Sequence, residues 1–550
     1  MSASRREVVL AWLFVCVFTV IWFVLAAGRP LANPDEGRYA EIPREMLMAA
    51  DWVVPRLNGV QYLEKPPLQY WATAIAYRMF GVNEWSARFW TLLCGWLDVA
   101  LVYLLARRLW GRHHAVLAAA LLAASLLHFL LGQILTLDMA FTAAMTAMLT
   151  AFCLARLELD RDAATSRRWM LVCWAMLAAA TLTKGIVALV IAGGVLTLYG
   201  LWQRDVGAWR TLRPLPGIAV LLVLTAPWFV MMARANPDFP RFFFVHEHFQ
   251  RYLTDEAQRI EPWWYFGMVL AIGVLPWLPQ MAAALADGWR AQAERGQFDA
   301  RRLLWLWCTF VTLFFSASHS KLPPYVLPVM PALALLAAAD VRVARARRLM
   351  MSIVIHLGLA AALVTVAVFP DRLLKTPVAV SVAHSARPAV AAFAALAMLS
   401  AVLAWSAVRR HRPETAIIAI AAGWFLGLSV LVATIGHEES LRSGRGLARS
   451  VPAHLAADAP LFSVRMFDMT LPFYLGRTIV PVDYRGELDY GLELEPGPVI
   501  DNVSTFEQLW TDLPEGVAFM STDTYLRLAA DGLPMQPLGR NRKSIAVSRR

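Results

Sequence analysis

The sequence predicts an α-helical polytopic membrane protein with about thirteen transmembrane helices and a small C-terminal α/β domain. Hydrophobic residues make up 59% of the 550 residues and charged residues 17%, whereas soluble domains average roughly 25% charged residues. Apolar stretches close to 20 residues long recur along the chain, and about 20 residues are needed to cross the hydrocarbon core of a bilayer. Basic residues lie between these stretches, so the net charge of +11 indicates membrane topology and not nucleic-acid binding.

The connections between the apolar stretches predict the orientation of the chain. Every second short connection is rich in arginine, as at Arg107 and Arg108 or at Arg409 and Arg410. Because basic loops stay on the cytoplasmic side, the N-terminus is predicted inside and the C-terminus outside. The predicted spans lie at 7–28, 86–106, 115–134, 139–155, 169–183, 186–202, 215–233, 264–284, 303–317, 325–339, 349–369, 388–408 and 416–435.

Two segments outside these spans are long enough to carry structure of their own. Residues 1–436 are predicted to form a transmembrane domain, whose outside loop 29–85 contains two interfacial helices near 38–50 and 68–80. Residues 437–550 are predicted to form an outside α/β domain. Its predicted strands and helices lie at 461–464, 477–482, 517–520, 506–513 and 523–530.

Five cysteines lie inside apolar runs, and none has the spacing of a metal-binding motif. We therefore predict that they pack in the core and that the chain has no disulfide framework. They are Cys16, Cys94, Cys153, Cys173 and Cys308.

Paired acids follow the first span, at Asp35 and Glu36 in the segment Asn33–Ala40. Two carboxylates at a membrane exit can bind a cation, a metal or the amine of a substrate. The alternative is an exposed turn followed by a helix N-terminus, where acidic residues are favoured for electrostatic reasons alone.

Two lysines precede proline pairs at predicted membrane exits, Lys65 before Pro66-Pro67 and Lys321 before Pro323-Pro324. Prolines restrict the backbone, so each ammonium is held at a defined place, where it suits a phosphate headgroup. Tyr325 follows the second pair and can donate its hydroxyl to a phosphate. The alternative for the lysines is ordinary snorkelling at the membrane surface.

A third outside segment contains His246, Glu247, His248 and Arg251. Zinc requires three or four ligands, and the two histidines could supply two of them, with Glu64 as a candidate third. Arg251 offers a bidentate donor for a phosphate.

Three further charged residues are candidates for function. Asp138 lies at the outside end of one predicted span, and Lys184 lies at a short outside turn before Gly185. Asp98 falls within a span, where an ionisable residue indicates function by default. A single acid does not define a proton path, so we predict a structural polar contact for Asp98.

These motifs resemble those of the bacterial lipid A aminoarabinosyltransferases, a family of the GT-C glycosyltransferases, which also include the protein O-mannosyltransferases. The resemblance extends over most of residues 1–330 and is weak in 340–550. The segments that carry it are Asp35-Glu36-Gly37-Arg38-Tyr39-Ala40, Lys65-Pro66-Pro67-Leu68, Thr136-Leu137-Asp138, Leu182-Thr183-Lys184-Gly185, Glu247-His248 with Arg251, and Lys321-Leu322-Pro323-Pro324-Tyr325.

The resemblance implies an inner-membrane enzyme that works on the periplasmic side. It would transfer 4-amino-4-deoxy-L-arabinose from undecaprenyl phosphate to a lipid A phosphate, which confers resistance to polymyxin and cationic peptides. We name no required cofactor and keep a divalent metal, zinc, as a candidate. The implied catalytic residues are Asp35, Asp138 and Glu36; those around the donor phosphate are Lys65, Arg251, Tyr325, Lys184 and Lys321; the metal candidates are Glu64, His246 and His248.

Two alternatives remain open on the sequence. A related GT-C transferase would move another polyprenyl-linked sugar to protein or to a glycan. A lipid or ion transporter would carry polar residues near mid-membrane in several spans, and this chain has few of them. The partners that the resemblance implies are the lipid-linked donor, the lipid A acceptor and membrane lipids, and no nucleic acid is expected.

Overall fold

The computed structural model describes residues 5–250, 261–290, 293–339, 345–436, 442–452, 455–495 and 497–549, and the side chains of 5–14, 247–250 and 378 fall outside this description. The chain forms two compact units. We call Met1–Ala26 with Trp90–Ile435 the helical unit, and Ala27–Phe89 with Gly436–Arg550 the α/β unit.

Each of the thirteen predicted spans coincides with one helix or with two consecutive helices, which confirms the predicted helical architecture. The longer helices are Arg5–Val24, Glu84–Trp110, Leu137–Glu158, Ala163–Lys184, Val187–Gln203, Pro214–Ala235, Ala300–Ser316, Ala346–Val368, Arg387–Arg409 and Pro413–Ile435. Shorter ones are Arg112–Ala123, Leu126–Gly132, Val206–Leu212, Tyr265–Gly273, Leu278–Gly288, Val329–Ala339, Pro370–Leu373 and Pro377–Ser385, with the π-helix Arg241–Gln250 and the 3₁₀ turn Pro323–Val326.

The described helices include six that are long and apolar enough to cross a membrane on their own. A seventh span results if Arg112–Ala123 and Leu126–Gly132 are counted together, although they meet at an angle of 65°. The break falls at Ser125, whose backbone is extended and whose hydroxyl donates to the Leu121 carbonyl over 2.7 Å. A serine that bonds back to the preceding turn competes with the helical ladder and bends helices.

The predicted span 264–284 is also divided into two helices, Tyr265–Gly273 and Leu278–Gly288. Pro276 lies between them and has no N–H to continue the ladder. Hydropathy averaged over a window does not detect such a break, because the residues on either side remain apolar.

Close packing in the helical unit relies on small residues. A side chain at Gly427 would come within 2.4 Å of the Phe393 ring, so the glycine allows the helices Arg387–Arg409 and Pro413–Ile435 to lie side by side. The intramembrane acid Asp98 lies 3.2 Å from Nε2 of His128, and both side chains are fully buried. This polar pair agrees with the structural role that we predicted for Asp98.

The described strands of the α/β unit are β1 Arg56–Leu57, β2 Val60–Gln61, β3 Leu461–Val464, β4 Val480–Val482, β5 Val517–Ser521, β6 Gln536–Arg540 and β7 Ser544–Ser548. Five of them form a mixed sheet in the order β4-β3-β5-β7-β6. Strand β3 is parallel to β4 and β5, and β7 is antiparallel to β5 and β6. A separate hairpin is formed by β1 and β2.

The sequence missed β6 and β7, because β6 contains Pro537 and Gly539 and shows no clear alternation. The strands and helices that the sequence did predict for this unit are all present. They include the two loop helices Asp35–Ala49 and Leu68–Phe80 and the domain helices Val503–Asp512 and Thr522–Ala530. Short helices lie at Arg445–Ser450, Leu471–Leu475 and Asp489–Leu494, with a 3₁₀ turn at Gly486–Leu488.

The loop 27–89 and the C-terminal segment pack together into one unit. Asn58 donates to the Ile479 carbonyl and accepts from the Ile479 N–H, both over 2.8 Å. A side chain at Gly37 would lie 2.5 Å from the backbone of Met469, so only glycine permits this approach. The division at residue 436 stays a prediction, and the structure adds that the first loop folds with the C-terminal segment.

Candidate functional site

The helical unit brings Asp138 and Lys184 into a direct ion pair. Asp138 lies in the first turn of Leu137–Glu158 and Lys184 ends the helix Ala163–Lys184. The helix dipole stabilises a negative charge at an N-terminus and a positive charge at a C-terminus, so each side chain is favoured where it lies. Gly185 ends the second helix with φ of +81°, a backbone conformation that glycine adopts without strain.

Aromatic rings enclose the Lys184 ammonium on two sides. Its Nζ lies 4.7 Å from the centre of the Tyr325 ring and 5.5 Å from that of Phe141. Tyr325 is carried by the short 3₁₀ turn Pro323–Val326, where the two prolines fix the backbone. The structure therefore groups three of the predicted residues, and Lys321, which is buried, precedes the same turn.

In the α/β unit, Asp35 forms an ion pair with Arg38 one helical turn later. The other terminal nitrogen of Arg38 donates to Glu487 of the C-terminal segment. The Asp35 side chain is 52% exposed and that of Arg38 only 9%. The Asp35 carboxylate is therefore open to solvent, while the arginine that pairs with it is buried and bound to a second acid.

Glu36 has a different environment from its neighbour Asp35. Its two oxygens accept from Arg88 Nε and Nη2, both over 2.7 Å. Arg88 is fully buried and also donates to the carbonyls of Arg29 and Pro30. Burial and the nearby Arg88 charge lower the pKa of Arg29 to about 10. The catalytic role of Glu36 stays a prediction, and these contacts favour a structural one.

Lys65 and Glu64 lie side by side in the α/β unit. The Lys65 ammonium donates to the Glu64 carbonyl over 3.1 Å and lies 4.0 Å from its carboxylate. Both side chains are partly buried. The proline pair Pro66-Pro67 leads directly into the helix Leu68–Phe80. The role of Lys65 at a donor phosphate stays a prediction.

The structure describes only part of the predicted metal site. His246 stacks on Phe242 with ring centres 5.1 Å apart, the His248 side chain is outside the described part, and Arg251 lies outside the described residues altogether. Among described residues, no group of three or more histidine, cysteine or acidic side chains is arranged to hold a metal ion. The zinc candidates therefore stay predictions.

Sequence reasoning missed Arg88 and Glu487. Arg88 lies in an apolar-rich helix and 52 positions from Glu36, and Glu487 lies 449 positions from Arg38. No local pattern marks partners so far apart. The only available signal was the unusual arginine near the start of a predicted span.

Two family models match the chain. The aminoarabinose transferase C-terminal domain matches residues 447–549, and the dolichyl-phosphate-mannose-protein mannosyltransferase model matches residues 8–243. The C-terminal match lies within residues 340–550, where the sequence resemblance was weak, and covers 447–549 of that region.

Curated relatives and solved structures agree with these models. The undecaprenyl phosphate-alpha-4-amino-4-deoxy-L-arabinose arabinosyl transferase of Edwardsiella ictaluri is 37% identical over 60% of this chain and 59% of its own length. The same enzyme of Pseudomonas aeruginosa is 38% identical over 60% and 59%. The matched region thus spans about 59% of the length of these relatives.

The structural match extends over the whole chain. The crystal structure of ArnT from Cupriavidus metallidurans bound to undecaprenyl phosphate has a TM-score of 0.90 and 34% identity, and it covers 100% of this chain and 99% of that one. The apo structure of that protein gives 0.87 and 33%, with 99% of both chains covered.

Proposed function

Because this chain belongs to the ArnT family of aminoarabinose transferases, we propose that it transfers 4-amino-4-deoxy-L-arabinose from undecaprenyl phosphate to a phosphate of lipid A. Capping that phosphate with an amino sugar reduces the negative charge of the outer surface. The expected biological result is resistance to polymyxin and to other cationic peptides.

The observation that carries this proposal is the cluster of Asp138, Lys184 and Tyr325 in the helical unit. A transferase that cleaves a sugar phosphoester must stabilise the phosphate that departs with the bonding electrons. Lys184 supplies a fixed ammonium whose position is set by Asp138 and by the Tyr325 ring. Lys321 precedes the same turn as Tyr325 and would add positive charge to the donor phosphate. The donor-phosphate roles of Lys65 and Arg251 stay sequence predictions.

The proposed reaction exchanges one phosphoester for another. The bond between the anomeric carbon and the donor phosphate oxygen breaks, and undecaprenyl phosphate leaves with the electron pair. An oxygen of the lipid A phosphate forms the new bond to the same carbon. Positive charge develops on the sugar between these events, and the exposed Asp35 carboxylate is suited to stabilise it or to hold the sugar ammonium.

A phosphate acceptor requires no strong general base. Its second ionisation lies near pH 6, so at neutral pH it already carries a nucleophilic oxygen. A serine or threonine hydroxyl would need deprotonation, as in a transferase acting on protein. Asp35 is therefore proposed as a charge stabiliser, and a metal ion has no step in this scheme.

The proposed location is the bacterial inner membrane, with the α/β unit in the periplasm. In a cysteine-free background, Gln508→Cys in the helix Val503–Asp512 should react with a membrane-impermeant thiol reagent in cells whose outer membrane is permeabilised. Asp160→Cys, in a predicted cytoplasmic loop, should react only after the inner membrane is opened as well. The reverse pattern would overturn the orientation.

The activity itself is tested by incubating purified protein with radiolabelled undecaprenyl-phosphate aminoarabinose and lipid A. Label should appear in lipid A and not in protein added as a competing acceptor. Transfer to protein would favour the alternative GT-C activity. Thermal melting should first show that the enzyme is folded. If a folded enzyme transfers label to neither acceptor, the proposed function is contradicted.

A further inference from the structure

We propose that Glu487, in the C-terminal segment of the α/β unit, is a positioning residue for transfer that acts on Asp35 through Arg38. The inference rests on the function proposed above and extends it to a part of the chain without an assigned role. Glu487 itself need not touch either substrate.

The geometry that supports this role is a three-membered chain of charges. Arg38 Nη2 donates to Asp35 Oδ1 and Arg38 Nη1 donates to Glu487 Oε2. The guanidinium is planar and rigid, so a carboxylate bound at one end fixes the direction in which the other end points. Glu487 therefore determines how Arg38 meets Asp35.

Two aromatic rings hold the Arg38 guanidinium beside Asp35. Its guanidinium carbon lies 5.0 Å from the centre of the Tyr39 ring and 5.8 Å from that of Tyr62. Both rings are buried, and aromatic faces attract a guanidinium. The backbone contact between Gly37 and Met469 holds the same helical turn against the C-terminal segment.

Sharing Arg38 between two acids also affects the charge that Asp35 presents. With Glu487 ionised, one arginine faces two carboxylates, and Asp35 keeps part of its negative charge uncompensated. Without that second carboxylate, both ends of the guanidinium are available to Asp35. A bidentate pair would then neutralise the side chain that must stabilise positive charge on the sugar.

Protonation offers a second way to remove the charge of Glu487. Burial raises the pKa of Glu487 above its ordinary value, although the Arg38 charge opposes this shift and the charges of Glu64 and Asp35 add to it. Tyr484 also lies close enough to interact with it. As the pH falls through this raised pKa, Glu487 takes up a proton and the wild type should come to resemble a Glu487→Gln variant.

The chain offers a matched control in Glu495. This carboxylate belongs to the same C-terminal segment and accepts from Arg56 of the first loop over 2.6 Å and 3.1 Å. It also accepts from Gln61 over 2.7 Å. Glu495→Gln thus removes an ion pair between the same two segments without touching Asp35 or Arg38.

The experiment compares purified full-length wild type, Glu487→Gln and Glu495→Gln with undecaprenyl-phosphate aminoarabinose and lipid A. At pH 8, Glu487→Gln should lower kcat about tenfold, as expected for loss of a hydrogen bond between charged groups, with little change in the donor KM. Glu495→Gln should keep the wild-type kcat. The ratio of wild-type to Glu487→Gln kcat should fall towards one as the pH is lowered through the raised pKa of Glu487.

Thermal melting of all three proteins separates folding from positioning. A wild type that transfers nothing would contradict the proposed function and not this inference. If the wild type is active, three results would overturn the inference. Glu487→Gln could keep full kcat, it could raise KM alone, or the ratio of wild-type to Glu487→Gln kcat could be independent of pH. Equal losses of activity and melting temperature in both variants would also overturn it, because they indicate a purely structural role.

Discussion

The helical unit and the α/β unit each hold an acid against a basic side chain, but the two ion pairs differ in what they leave available. Asp138 and Lys184 are both 15% exposed and pair with each other. Asp35 is 52% exposed and shares Arg38 with Glu487. This difference favours the proposal that Asp138 fixes a cation, whereas Asp35 keeps negative charge for a substrate.

A second contrast lies within two consecutive residues. Asp35 presents its carboxylate at the surface, while the Glu36 carboxylate is buried against Arg88. We therefore propose that Asp35 serves the chemistry and that Glu36 serves stability. This division of roles predicts a graded series of effects on transfer, largest for Asp35.

Asp35→Asn should reduce transfer most. The amide has the size of the carboxylate and lacks its charge, so it cannot offset positive charge on the sugar. Removal of one electrostatic stabiliser of a transition state lowers kcat by about 10² to 10³. Single-turnover transfer to lipid A measures the loss, with melting temperature as the control for folding. A variant with more than half of the wild-type rate would contradict the comparison.

Lys184→Ala should have the next largest effect. It removes a charged donor, worth about 1.5–3 kcal/mol, or roughly tenfold to a hundredfold in rate. Binding of undecaprenyl phosphate, followed by thermal shift, should weaken in parallel.

Asp138→Asn should lower the transfer rate and the lipid binding less, because the amide oxygen can still accept from Lys184. If Asp138→Asn were as damaging as Asp35→Asn while lipid binding stayed intact, Asp138 would be the charge stabiliser.

Glu36→Gln should affect stability more than chemistry. Removing one partner of a buried ion pair leaves Arg88 uncompensated, which lowers stability by about 3–5 kcal/mol. We expect a lower melting temperature and a transfer rate, per folded molecule, within about tenfold of wild type. Folded protein that has lost transfer as completely as Asp35→Asn would place Glu36 in the chemistry after all.

Glu45→Gln should change the pH dependence of stability and leave transfer almost unaffected. Burial, together with the neighbouring Glu41 charge, raises the pKa of Glu45 to about 8, and Arg44 and the Gly59 N–H oppose the shift. The folded chain thus holds this proton more tightly than the unfolded chain. The stability it contributes is complete below pH 4.5 and is lost as the pH rises to 8.

The corresponding measurement is the melting temperature of wild type and Glu45→Gln from pH 5 to 8. The wild type should lose stability relative to the variant as the pH rises, because the variant cannot ionise. Parallel curves would show that Glu45 is not held protonated by the fold.

Much of this arrangement could be predicted from sequence, and each part that could not has an identifiable physical reason. Local composition locates the helices that begin near Asp138 and end near Lys184, because helix ends and glycine leave local signals. It does not show that Ser125 bends a span, since the flanking residues are apolar. Nor does it reveal that Glu487 pairs with Arg38, because contacts between distant segments are set by tertiary packing.

The most direct test of the central claim is a pH series on Asp35→Asn with lipid A as acceptor. If Asp35 stabilises charge, the variant should show flat, near-zero transfer from pH 7 to 9, because a phosphate acceptor is already ionised above about pH 7.5. If Asp35 were a general base for a hydroxyl, raising the pH would ionise more acceptor and transfer would climb steadily. A rate of transfer that rises steadily with pH would contradict the charge-stabilising role of Asp35 and would favour a hydroxyl acceptor.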